Sequence, residues 1–238
     1  MKNVILIATC LLYVALTLDA VAQDKDTPNT VGIGDAASKP ATAPTSVPTT
    51  STQEAPTVKF FGMDGRAAHV VYVIDRSGSM LDTFDALRNG LRESINGLKG
   101  TQDFHLIFFS AGAPFEMPGK KLTPASEHSK KAAGELLHRI VAEGQTDPLP
   151  AIKRAIDVLN KAEGGMHNKV VVLVTDGAFP DNNKVFMLIK KLDPKNEIRF
   201  FTVLFDTKEP DAEKALKKIA DDSGGQYKQV HSEAEAGK

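Results

Sequence analysis

The chain has 238 residues, of which 42% are hydrophobic, and 29 basic against 30 acidic side chains leave a formal net charge of −1. That length suits one globular domain of roughly 150–200 residues plus appendages, large enough to bury a full core without covalent staples. The charge balance gives no general reason to expect nucleic acid or anionic membrane as partner, and a single cysteine, Cys10, excludes an intrachain disulfide.

Residues 1–22 read as an export signal: Lys2 supplies a short positive start, Val4 to Leu18 an apolar run, and Ala20-Val21-Ala22 an A-x-A cleavage site. The apolar run is shorter than the ~20 residues of a comfortable membrane span. Two outcomes stay open, cleavage after Ala22 and retention as a signal-anchor, and both place the rest of the chain outside the cytoplasm. Lipidation at Cys10 fits less well, because Thr9 departs from the usual lipobox. In residues 23–57, Pro28, Pro40, Pro44, Pro48 and Pro56 alternate with Thr, Ser and Ala, without apolar periodicity. Such a segment cannot bury enough apolar area to offset its ordering entropy, so a disordered, extended spacer is expected. A spacer serves best between two attached things, which speaks for the anchor.

From Val58 to Val230 short apolar runs alternate with amphipathic segments, the pattern of an α/β domain with a doubly wound, mainly parallel sheet flanked by helices. Phe60-Phe61 adds a strand or plug ahead of it. Val70 to Ile74 is a continuous apolar run, as in a strand covered on both faces. Phe84, Leu87, Leu91, Ile95 and Leu98 recur at helical spacing, with Asp82 as the expected cap. Phe104 to Phe109 is the second strand and Pro114 to Met117 a short edge strand, where proline is tolerated. Helices are expected over Ala125 to Ala142 and Pro148 to Lys161. Val170 to Val174 is the second wholly apolar strand, followed by a helix over Asp181 to Leu192. A strand over Ile198 to Phe205, a helix over Asp211 to Asp222 and a closing strand over Gln226 to Val230 complete the order, and residues 231–238 form a tail.

Three loops carry oxygen-bearing side chains. Asp75-Arg76-Ser77-Gly78-Ser79 leaves the first apolar strand, Gly144-Gln145-Thr146-Asp147 precedes the helix opening at Pro148, and Thr175-Asp176-Gly177 leaves the second apolar strand. In open α/β sheets ligands bind beyond the carboxyl ends of the strands. If the two most apolar strands are neighbours, Asp75 and Asp176 end side by side, and Ser77, Ser79 and Thr146 complete a set of five. Hard oxygens with little charge suit Mg²⁺ or Mn²⁺, with Ca²⁺ also accommodated, over Zn²⁺. The bland alternative is a set of polar turns and helix starts, which Asp, Ser and Pro favour for backbone reasons alone.

With these motifs in order, residues 58–230 resemble a von Willebrand factor type A (VWA) domain with a metal-ion-dependent adhesion site. Asp75, Ser77 and Ser79 match the D-x-S-x-S motif, Thr146 the family's loop threonine and Asp176 its second aspartate. The export signal and spacer resemble those of bacterial extracytoplasmic VWA proteins. The resemblance implies that the hydroxyls hold the ion directly, that Asp75 and Asp176 act partly through water, and that an acidic residue of a protein partner completes the coordination. Two departures stand out. Gln145 occupies a position where the family often has Gly, and only eight residues follow Val230, so the long final helix of integrin-type domains is expected to be reduced or absent. Thr57 to Phe61 is then expected to cover the surface such a helix would leave.

Two enzyme readings and a scaffold reading compete with the binding module. A Mg²⁺-dependent phosphatase of the haloacid-dehalogenase kind needs a second acid two residues after its aspartate, where Ser77 stands. A serine hydrolase lacks G-x-S-x-G around Ser77 and Ser79 and a histidine placed to activate either. An envelope scaffold with a purely structural metal is indistinguishable at this level. The six histidines are scattered, and the short charged helices give no oligomer signal.

Overall fold

The computed structural model describes residues 56–163, 168–207 and 209–231. The export signal, almost all of the spacer and the tail beyond His231 lie outside the described residues. Among the described residues no helix is long and apolar enough to cross a membrane.

The strands form where the apolar runs are. β3 (His69–Asp75), β4 (Asp103–Phe109), β7 (Lys169–Thr175) and β8 (Ile198–Phe205) are parallel neighbours in the order β4-β3-β7-β8, and β9 (Gln226–Val230) extends the sheet parallel to β8. Two short antiparallel pieces, β5 (Phe115–Glu116) and β6 (Thr123–Pro124), cap β4 at the other edge. Side chains alternate across this sheet. Val70, Tyr72, Ile74 and Val172 meet Leu87 and Leu91 of α1 (Phe84–Gly97) and Leu137 of α2 (Glu127–Arg139) on one face. Val71, Val73 and Leu173 meet Ile152 and Ile156 of α3 (Leu149–Leu159), Val185 of α4 (Asn182–Leu192) and Leu216 of α5 (Pro210–Ser223) on the other. The fold is therefore α/β, doubly wound, with a mixed but mostly parallel sheet, as the sequence pattern implied.

The N-terminal aromatics belong to a hairpin of β1 (Thr57–Phe60) and β2 (Met63–Arg66), in which Phe60 pairs with Met63. Its two-residue loop places Phe61 at φ 46° and Gly62 at φ 76°, as a type I′ turn demands. A bulky residue in the left-handed region costs about 1–3 kcal/mol. Packing offsets this: the Phe61 ring lies edge-on to Phe60 at 4.6 Å and to Phe205 at 5.2 Å between centroids. It also presses on α1, where a Cβ at Gly90 would stand 2.2 Å from it. Gly65 sits equally flush on Phe201. The hairpin thus shields the β8 side of the face that α1 covers, and its own Val58, Phe60 and Met63 are buried against that face.

Two local expectations change, and one element was not foreseen. Asp82 does not cap α1: it ends a 3₁₀ turn over Gly78–Asp82, and Thr83 is the cap residue, donating its hydroxyl hydrogen to the Met80 carbonyl at 3.1 Å. α2 starts later and stops earlier than its apolar pattern. Ser126 and Ser129 form a reciprocal capping box at its start. At its end Ile140 turns extended, and Arg88 donates to the Leu137 carbonyl at 3.1 Å. β6 carries no periodic signal, because two residues are too few to show one.

Candidate metal centre

Parallel pairing of β3 with β7 sets Ile74 opposite Val174, so Asp75 and Thr175 leave the sheet level with each other and Asp176 stands one residue beyond. Asp75 is fully buried. One of its oxygens accepts the Ser77 backbone N–H at 2.8 Å, and the other accepts the Thr175 hydroxyl at 2.7 Å. That clamp turns the chain at Ser77, which is extended and opens the 3₁₀ turn. The Ser77 and Ser79 hydroxyls are 3.1 Å apart, and Ser79 donates to Asp176 Oδ1 at 3.0 Å. Four of the five expected side chains, Asp75, Ser77, Ser79 and Asp176, are thus brought together from two strand ends.

Thr146 reaches the same edge by a different route. Its loop is stitched to the first by main-chain bonds, Gly78 N–H to Gly144 O at 2.9 Å and Glu143 N–H to Arg76 O at 2.7 Å. Arg76 adds a bond to Glu143 Oε1 at 2.9 Å. Gly144 has φ +84° and lies against Ser110, a conformation that suits glycine. Asp147 Oδ1 accepts the Leu149 N–H at 3.2 Å and so starts α3. Among the described residues no hydrogen bond joins the Thr146 side chain to the other four; backbone contacts place its loop beside theirs.

The charges at this edge lack compensation. Burial raises the Asp75 carboxyl to about 6, against the opposing hydrogen bonds of Ser77 and Thr175, and the neighbouring Asp176 charge adds to the rise. Burial likewise raises Asp176, with Glu209 adding to it. Among the described residues Asp75 and Asp176 meet hydroxyls and a backbone N–H rather than a basic side chain, and no group of three or more His, Cys, Asp or Glu is arranged to hold a metal ion. The candidate donor set is instead two carboxylates and three hydroxyls, hard oxygens that fit Mg²⁺, Mn²⁺ or Ca²⁺. A buried carboxylate without a cationic partner is costly, and a cation on these oxygens would remove the cost.

Two residues escaped the sequence reading. Thr175 stands in the quoted T-D-G segment, but its hold on Asp75 depends on β3 and β7 being neighbours. Glu209, at the start of α5, accepts the Ala178 N–H at 3.2 Å and brings a third carboxylate near Asp176. It lies outside every motif, and only the adjacency of β7 and β8 brings it there.

Residues 70–178, which include all five candidate ligands, match the family model described as von Willebrand factor type A domain. The inter-alpha-trypsin inhibitor heavy chain H1 of Mesocricetus auratus is 28% identical over 115 residues, covering 46% of this chain and 12% of that protein. The chain therefore spans only a small part of that relative. Among solved structures, a von Willebrand factor type A protein from Catenulispora acidiphila superposes with a TM-score of 0.62 at 21% identity, over 74% of this chain and 42% of the other. The conserved hypothetical protein BatB from Bacteroides thetaiotaomicron gives 0.55 at 17% identity, over 72% and 95%. Residues 70–178 are thus similar to a VWA domain, and the fold is structurally similar to those of bacterial VWA proteins.

Proposed function

We propose that this chain is an exported binding module, secreted or held by its N-terminal segment outside the cytoplasm. In this reading Asp75, Ser77, Ser79, Thr146 and Asp176 hold a divalent cation, Mg²⁺ or Mn²⁺ with Ca²⁺ as a third candidate. A bound ion supplies an electrophilic position open to an aspartate or glutamate of a protein partner. The observation that carries the reading is the continuous run from Asp75 through Ser77 and Ser79 to Asp176, in which neither carboxylate has a basic partner among the described residues. The chain's own groups divide the work. Thr175 and the Ser77 N–H orient Asp75, the stitched 141–144 loop presents Thr146, and Glu209 lies beside Asp176. Ser77 and Ser79 engage each other and Asp176, and among the described residues neither hydroxyl meets a histidine, which favours a binding role over that of a serine hydrolase.

The buried Asp75 also supports a second reading, a scaffold whose ion only stabilises the fold. Thermal unfolding in Mg²⁺, Mn²⁺ or Ca²⁺ against EDTA tests the shared premise. A bound ion raises stability by about 2.7 kcal/mol at a hundredfold excess over its dissociation constant, and Asp75→Ala removes the rise. No rise in either protein would defeat both readings. Cation-dependent capture of a partner that Asp75→Ala abolishes separates the binding module from the scaffold.

A further inference from the structure

We infer that the groove between α3 and α4 is a second contact area for the partner of the metal site, built for an acidic amphipathic segment; the inference rests on the binding-module reading. α3 begins at Leu149, just after the Thr146 loop, and α4 at Asn182, just after the Asp176 loop. Both first turns therefore lie at the metal-site edge, and both helices run away from it on the same face of the sheet. Between them is an open groove of about 480 Å³, lined by the apolar Leu149, Met187 and Leu188 together with Lys153, Lys184 and Lys191.

The apolar lining is adaptable. Met187 is 72% exposed, although its helix neighbour Val185 is buried in the core. An isolated exposed apolar side chain needs no explanation. Here it shares a concavity with leucines of two helices, and the flexible thioether suits a surface that must fit a partner. The stretch from Lys184 to Lys191 rises about 10 Å, enough for two turns of a docked helix reading anchors at helical spacing.

The lysines select the sign of the partner. Lys153 is bridged to Asp157 at 2.7 Å and Lys184 to Asp181 at 3.2 Å, both in exposed pairs. Such pairs are worth little and exchange readily. Among the described residues Lys191 makes no ion pair, and Lys190 stands beside it in the last turn. A partner bearing carboxylates around apolar anchors complements these lysines, whereas a second copy docking groove to groove would set lysine against lysine. The same acidic character is what the metal site asks of its partner.

The test uses the full chain and a fluorescent synthetic amphipathic helix, with leucines spaced three and four apart and glutamates on its other face. Anisotropy measures its affinity in Mg²⁺ and in EDTA, and the ¹³C-methyl signal of Met187 reports its position. Binding that shifts the Met187 methyl and falls at least about tenfold in Met187→Glu, the loss expected of a central anchor, supports the inference. Lys191→Glu is expected to weaken binding too, and a peptide with lysine for glutamate is expected not to bind. Met187 is exposed, so the variant's melting temperature should equal that of the wild type and confirm its fold. Loss in EDTA without any effect of Met187→Glu or Lys191→Glu overturns the groove and leaves the metal reading standing. Loss in Met187→Glu without any effect of EDTA keeps the groove and overturns the metal reading for this probe. Equal binding of the lysine peptide, or a dimer in sedimentation that Met187→Glu disperses, overturns the acidic-segment assignment.

Discussion

Replacing Asp75 by asparagine should stabilise the cation-free protein. The carboxyl is raised by burial from 3.8 to about 6, roughly two pH units or about 3 kcal/mol at neutral pH. The sign follows from proton uptake: the folded state holds the proton more tightly than the unfolded one. The group's stabilising contribution is fully present below about 3.8 and is lost as pH rises through about 6. Asparagine keeps the contacts. Its oxygen accepts the Ser77 N–H, and its amide donates to the Thr175 hydroxyl, whose hydrogen turns to the Gly177 carbonyl already 3.4 Å away. Only the charge goes. In EDTA at pH 7.5, Asp75→Asn should gain about 2–3 kcal/mol, or about 5–10 °C in Tm, and the gain should shrink toward pH 4. In Mg²⁺ at a thousandfold excess over its dissociation constant the wild type gains about 4 kcal/mol and overtakes the variant, which gains nothing. Urea unfolding of both proteins across pH, with and without Mg²⁺, measures each term. A variant less stable than wild type in EDTA at pH 7.5 would mean that the Asp75 charge does not destabilise the cation-free fold.

The hairpin and the loops give further expectations. Gly90→Ala should destabilise by about 1–3 kcal/mol through overpacking against Phe61, despite its gain in helix propensity, and Phe61→Ala should relieve that clash, seen as positive coupling in a double-mutant cycle. Burial lowers the affinity of His105 for its proton against the pull of Glu116, so stability should fall as pH drops below the ordinary value of 6.5. The pH dependence of urea unfolding should flatten in that range for His105→Gln. Gly144→Ala forces a side chain into φ +84° and should cost about 1 kcal/mol or more, with weaker Mg²⁺ binding by calorimetry because the Thr146 loop shifts.

Much of this was legible because burial on both faces leaves a plain mark. The runs around Val70 to Ile74 and Val170 to Val174 are apolar at every position, which marked them as central strands; that they are neighbours was a condition of the sequence reading, and the pairing of β3 with β7 meets it. What stayed hidden depended on tertiary packing. The early end of α2 is set by Arg88 from another helix, and the left-handed Phe61 is tolerated only because Phe205 and Gly90 receive its ring. Asp82 read as a cap because Asp commonly is one, but the 3₁₀ turn that follows Ser77 consumes it. Glu209 belongs to no motif and reaches the site only through strand order.

If Asp75, Ser77, Ser79, Thr146 and Asp176 hold one divalent cation open to an external carboxylate, Mn²⁺ electron paramagnetic resonance on the chain with ¹³C-carboxyl acetate reads both features at the ion itself. One bound Mn²⁺ per chain, hyperfine coupling to the acetate carbon, and loss of both in Asp75→Ala are expected. A chain that binds no Mn²⁺, or binds it equally well in Asp75→Ala, would contradict the site; bound Mn²⁺ without coupling to acetate would contradict the bridging role.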